Sequence, residues 1–112
     1  MLYAYTQSVP IDLETYGKIV ERLGPTPLEG LMFHLVTRCA DGGLQYTDVW
    51  ESHAACERAF EDRIHPAVYG VFAEIGFRPE GEPQKQQLDV VDLFQGSFVP
   101  HAAARHADDI AV

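Results

Sequence analysis

The sequence predicts an α+β fold built on one antiparallel four-stranded sheet that carries two helices. Three observations predict it. Strand-like and helix-like hydrophobic patterns alternate in the order β-α-β-β-α-β. The two middle strand segments are separated by Asp41-Gly42-Gly43, a hairpin signal because these residues tolerate positive φ. The length, 112 residues, is that of one domain. A chain of this size buries roughly two thirds of its unfolded surface, so a core can form without disulfide staples.

Residues 2–8 are rich in Tyr and Thr and read as the first strand, ended by Val9-Pro10. Asp12 is placed to cap a helix by accepting backbone N–H groups. Leu13, Tyr16, Val20 and Leu23 recur at helical spacing, and Gly24-Pro25 stops that helix. Residues 30–39 (GLMFHLVTRC) form a compact apolar run, suited to a strand buried on both faces. Residues 44–51 (LQYTDVWE) are the return strand. Ser52 caps the second helix, where Cys56, Phe60 and Ile64 repeat every four residues. Pro66 is expected to break or bend it and to open a second helical piece, striped by Val68, Phe72 and Ile75 and ended by Gly76. Residues 77–87 are polar, contain two prolines and read as a loop. Residues 88–94 (LDVVDLF) read as the last strand. The division is thus a domain over residues 1–94 and a tail over 95–112, in which 102–109 are a short-helix candidate set against a frayed end. This order is the split β-α-β, ferredoxin-like arrangement, with both helices on one sheet face.

Two helices cover only one face, so the other should be polar. In residues 30–39 both parities are apolar: Leu31, Phe33 and Leu35 on one side, Met32 and Val36 with His34 on the other. In residues 88–94, Val90 and Phe94 oppose Val91 and Leu93. Monomers rarely expose such a patch, and packing it on a second copy covers it symmetrically. The expectation is a homodimer joined through its sheet faces; the competing arrangement is a monomer whose tail or a loop covers that face.

The formal net charge of −9 repels phosphate backbones, and the basic residues form no run, which argues against a nucleic-acid partner. No apolar run approaches the ~18 residues of a membrane span, and the N-terminus has no basic region, so neither a membrane partner nor a signal peptide is expected. The expected location is cytoplasmic, with Cys39 and Cys56 reduced.

The GLMFHLV strand, the DGG hairpin and the YTDVWES segment running into a helix resemble the dimeric α/β-barrel superfamily, and within it the small antibiotic-biosynthesis-monooxygenase-like proteins. The resemblance spans roughly residues 2–94. It implies two chains joined into a barrel, each with a cavity between sheet and helices. It also implies a hydrophobic or aromatic small molecule as ligand and a candidate activity, cofactor-independent monooxygenation. There an active-site group deprotonates an electron-rich phenol, and the carbanion reduces dioxygen. Trp50 matches the Trp of such sites, but the chain contains no Asn, so their Asn has no counterpart. The same fold hosts haem-linked proteins and isomerases, so a non-catalytic binding or accessory module stands as the alternative. No cofactor and no metal site are expected.

His34, mid-strand among apolar neighbours, is the candidate catalytic base; the bland alternative is a core histidine bonded to one neighbour. Trp50 is a candidate ligand-binding wall with an indole N–H free for a substrate oxygen, against a simple packing role. Asp48 shares the face of Trp50 and needs a partner: Arg38, His34 or the dimer interface. A two-residue turn at Asp41-Gly42 sets Leu35 opposite Asp48 and turns His34 to the other face, whereas a one-residue change in the turn reverses that parity. His65, beside the Pro66 bend, is a candidate gate or ligand contact, and Tyr69 follows one turn later as a positioning residue; a surface histidine is the competing role. Phe60 and Phe72 read as core. His101 and His106 lack metal-site spacing.

Overall fold

Asp12 and Ser52 start the helices in the way their short acceptor side chains dictate: Asp12 accepts from the Thr15 amide and Ser52 from the Ala55 amide. The structure is a computed structural model and describes residues 1–94. Its elements are β1 (Tyr3–Val9), α1 (Leu13–Leu23), β2 (Leu31–Arg38), β3 (Leu44–Trp50), α2 (His53–Ala59), a π-helical turn (Phe60–Ile64), α3 (His65–Ile75) and β4 (Lys85–Leu88). The tail and the helix candidate at 102–109 lie outside the described residues.

The four strands form one sheet in the order β2-β3-β1-β4, every pairing antiparallel. The helices pack on one face in two clusters. Tyr5 and Trp50 of the sheet meet Cys56 and Ala59 of α2. Leu44 meets Ile19 of α1 and Val71 of α3. This is the ferredoxin-like α+β arrangement expected from the pattern. Both cysteines are free thiols, and Cys56 is buried. Among the described residues no helix is long and apolar enough to cross a membrane.

Three expectations are corrected. First, the last strand is Lys85–Leu88, not residues 88–94. Its partner is β1, with Lys85 opposite Gln7 and Leu88 opposite Ala4. An edge strand needs backbone pairing on one side only, so a polar KQQL segment serves and apolar content misplaces it. Val90, Val91, Leu93 and Phe94 follow the strand, so they cannot supply the two-faced apolar argument drawn from them.

Second, a further helical piece, α3, opens with Pro66 in its first turn and ends at Gly76 as expected, but the proline does not itself break the helix. Its irregularity precedes the proline, in the π-helical turn, where the His65 amide bonds the Phe60 carbonyl. Pro66 then sits in the first turn of α3, the helical position where proline is tolerated.

Third, Met32 is the extra residue of a bulge: Leu31 faces Trp50 and Phe33 faces Val49. Leu31 therefore packs against the helix-side cluster instead of joining Phe33 and Leu35 on the outer face. That outer face carries Phe33 and Leu35 at 42% and 45% exposure. By strand alternation it also carries apolar Ala4, Val49 and Leu88 along with polar Thr6, Thr47 and Gln86, so it is an apolar patch bordered by polar residues.

Candidate functional site

The hairpin register decides the site. The connection runs from Cys39 to Gly43, closed by Cys39 N–H to the Gly43 carbonyl and Gly42 N–H to the Cys39 carbonyl. Asp41 accepts from the Gly43 amide, and Gly42 adopts φ +92°. This loop is longer than the two-residue turn, so the parity reverses. His34 now stands directly opposite Asp48, and both face the helices.

Asp48 is 5% exposed, and its partner, left open among three by the sequence, is His34. The His34 Nδ1 lies 2.5 Å from Asp48 Oδ1, and His34 Nε2 lies 2.8 Å from the Tyr16 hydroxyl on α1. A carboxylate only accepts, so Nδ1 carries the hydrogen; with a hydrogen on Nδ1 alone, the ring offers its Nε2 lone pair to the Tyr16 hydroxyl. On its other side Asp48 stands across from Tyr5 of β1. Trp50 Nε1 donates to the Tyr5 hydroxyl at 3.2 Å. Tyr5 and Trp50 are almost completely buried. The indole N–H is thus consumed inside the core and is not free for a substrate oxygen, contrary to expectation.

The electrostatics follow from burial. Removal from water raises the Tyr16 hydroxyl above the ordinary phenol range, and the Asp48 charge adds to it. Burial, then Tyr16 and Asp48, raise Tyr46 further. Tyr5 is raised by burial first and by Asp48 next. All three phenols are held neutral. Among the described residues no buried side-chain nitrogen or oxygen lacks a hydrogen-bond partner.

These groups line a cavity of about 510 Å³ between the sheet and the helices, within the usual range for small-molecule sites. Its walls are mostly apolar, with Ile19, Leu23, Leu31, Phe60, Val68 and Phe72 prominent. Phe60 and Phe72 thus both pack the core and line the cavity.

His65 and Tyr69 lie on the same cavity, with rings stacked at 5.4 Å. His65 Nε2 donates to Glu82 at 2.8 Å, and Lys85 Nζ is 3.7 Å from the same carboxylate oxygen. Gln7 Nε2 donates to the Pro83 carbonyl at 2.8 Å. These contacts strap the segment before β4 across the cavity. The π-helical turn contributes Phe60, Arg63 and Ile64 to the lining. Arg63 donates to the carbonyls of Leu23, Thr26 and Pro27, which holds the loop after α1.

All five candidate residues, His34, Asp48, Trp50, His65 and Tyr69, therefore line one cavity. Sequence reasoning missed Tyr16, Tyr46 and Glu82. Tyr46 was accessible, since it lies two residues before Asp48 and shares its face. In the sequence Tyr16 is part of a helical stripe, and nothing local ties it to a residue 18 positions away. Among the described residues no three His, Cys, Asp or Glu side chains gather in a metal-binding group.

The chain is ferredoxin-like with a ligand-sized cavity between its sheet and helices. Solved structures share its fold. One, described as a candidate antibiotic biosynthesis monooxygenase from Chloroflexus aurantiacus J-10-fl, superposes with a TM-score of 0.58 at 13% identity, covering 85% of this chain and 98% of that one. Rv0793 from Mycobacterium tuberculosis superposes with a TM-score of 0.56 at 15% identity, covering 84% and 98%. At such identity the likeness speaks for the fold. No known family pattern and no curated protein matches the chain.

Proposed function

We propose that the protein binds a hydrophobic, aromatic small molecule in the cavity and that His34 is the proton acceptor of a cofactor-independent oxygenation. The single observation that carries this is the chain Asp48–His34–Tyr16 on the wall of an otherwise apolar cavity. The basic imidazole nitrogen Nε2 is reached from the cavity through the Tyr16 hydroxyl, and a buried carboxylate stands ready to stabilise the imidazolium that forms. In this reading an acidic phenol or anthrone loses a proton that ends on His34. The electron-rich anion then reduces dioxygen, forming a C–O bond to the ring carbon, and the peroxide takes back the proton held by His34; the carbon then loses its hydrogen as the O–O bond breaks, which leaves a carbonyl there and releases the other oxygen as water. Apolar walls exclude solvent from the anion, and His65 with Tyr69 offers a further contact for the ligand.

A homodimer through the outer sheet face belongs to the same proposal. Half-exposed Phe33 and Leu35 support it, since a second copy would remove both from water.

A second reading, a binding module without catalysis, is favoured by one fact: the His34 ring already has both nitrogens engaged. Oxygen uptake with a panel of hydroquinones and anthrones separates the two. The oxygenase predicts uptake that falls by at least about 100-fold in His34→Ala, the usual scale of a lost general base. Equal rates in both proteins overturn His34 as the base. Aromatic binding without any uptake leaves the binding module.

A further inference from the structure

We infer that Tyr16, not His34, is the group that meets the ligand's acidic hydroxyl, and that it relays the proton to His34. The inference rests on the proposed binding of an aromatic ligand in this cavity. His34 has two ring nitrogens: Nδ1 is held by Asp48, and Nε2 by the Tyr16 hydroxyl at 2.8 Å. A ligand reaches the basic lone pair only through Tyr16 or by displacing it. The Tyr16 oxygen donates to Nε2 and keeps lone pairs for an incoming O–H. The ring is held in place: it lies within 20° of parallel to His34, and it tilts against Tyr46 at 5.8 Å.

The transfer is a double shift. The ligand O–H bond breaks as a new Tyr16 O–H bond forms. The original Tyr16 O–H bond breaks as the His34 Nε2–H bond forms. The ligand ends as a phenolate, Tyr16 is neutral throughout, and the imidazolium stands against Asp48. Burial together with the neighbouring Asp48 charge disfavours a free tyrosinate, which suits a relay and not a standing base. Tyr46, Tyr5 and Cys56 are the other titratable groups that feel the Asp48 charge, and burial first, with that charge, raises all three and keeps them protonated. In the product state the Tyr16 hydroxyl donates to the phenolate and accepts from the imidazolium, so it stabilises the ionised ligand as well as passing the proton.

The test uses two chromophoric probes with the full chain: 4-nitrophenol, whose phenolate has its own visible band, and 4-nitroanisole, the same shape without the proton. Wild type should bind both and shift the bound nitrophenol toward phenolate relative to free probe. In Tyr16→Phe the bound phenolate-to-phenol ratio should fall about tenfold or more, the scale of one lost hydrogen bond to a charged group, with nitroanisole affinity within about twofold. If Tyr16→Phe keeps or increases the phenolate, Tyr16 merely blocks Nε2 and the relay is overturned while the cavity reading stands. If wild type binds neither probe, the cavity reading falls and takes the relay with it. Should Tyr16→Phe lose nitroanisole through misfolding, Tyr16→Gln decides by rate: its amide can hold a hydrogen bond but cannot pass a proton, so phenolate formed in stopped flow as fast as in wild type overturns the relay, and formation slowed by at least about 100-fold supports it.

Discussion

Trp50 donates its indole N–H to the Tyr5 hydroxyl, joining two neighbouring strands at the most deeply buried point of the sheet. Trp50 is the sole tryptophan of the chain. Trp50→Phe removes the donor and part of the packing against Phe60, Cys56 and Ala59. The expected cost is about 1–3 kcal/mol in urea unfolding. Native Trp50 emission should be blue-shifted and inaccessible to iodide; a red, readily quenched emission contradicts the packing described.

Asp48 accepts from His34 and stands beside the Tyr5 hydroxyl. Asp48→Ala strands donors in a buried setting. Stability should fall by about 2 kcal/mol, and the His34 ring should become mobile by NMR. An unchanged unfolding midpoint would show that the pair holds nothing in place.

Gly30 has φ +89°, and a Cβ built on it comes within 2.7 Å of the Ala55 Cβ. Gly30→Ala therefore meets both a disfavoured backbone conformation and a clash with the start of α2. A loss of about 1–3 kcal/mol is expected, with little effect from Gly81→Ala, which meets nothing within 4 Å.

Burial alone would raise the Glu82 carboxyl, but the His65 hydrogen bond and the Lys85 charge outweigh it and hold the group below its ordinary 4.5. A depressed folded value means the pair stabilises the strap fully above about pH 4.5, and that this contribution is lost as pH falls through the lower folded value. Amide shifts of Gly81 and Lys85 should titrate with a midpoint below 4.5, and this transition should vanish in Glu82→Gln. A midpoint above 4.5 contradicts the strap.

Phe33 and Leu35 face outward from β2. If two copies meet there, Phe33→Asp together with Leu35→Lys yields a folded monomer by sedimentation, while wild type sediments as a dimer. A wild-type monomer would end the barrel proposal.

Much of the fold was legible because it is written locally. The caps at Asp12 and Ser52, the helix stops at Gly24 and Gly76 and the β-rich runs around the Asp41-Gly42-Gly43 turn each depend on residues within a few positions. Hydrophobic periodicity then assigned all but the last strand. That strand escaped because Lys85–Leu88 is chosen by its hydrogen bonds to β1, some 80 residues away, and backbone pairing leaves no mark on side-chain polarity.

The amino-acid order alone determined the element sequence and which side chains could do chemistry: one tryptophan, His34 within an apolar strand and a carboxylate two residues before Trp50. Tertiary structure decided which of them meet. A side-chain period of two makes a single residue in the Cys39–Gly43 loop the difference between His34 facing Asp48 and His34 facing away. The arrival of Tyr16 from α1 and of Glu82 from the strap depends on how layers stack, and hydrogen bonds across layers are invisible until the layers are in place.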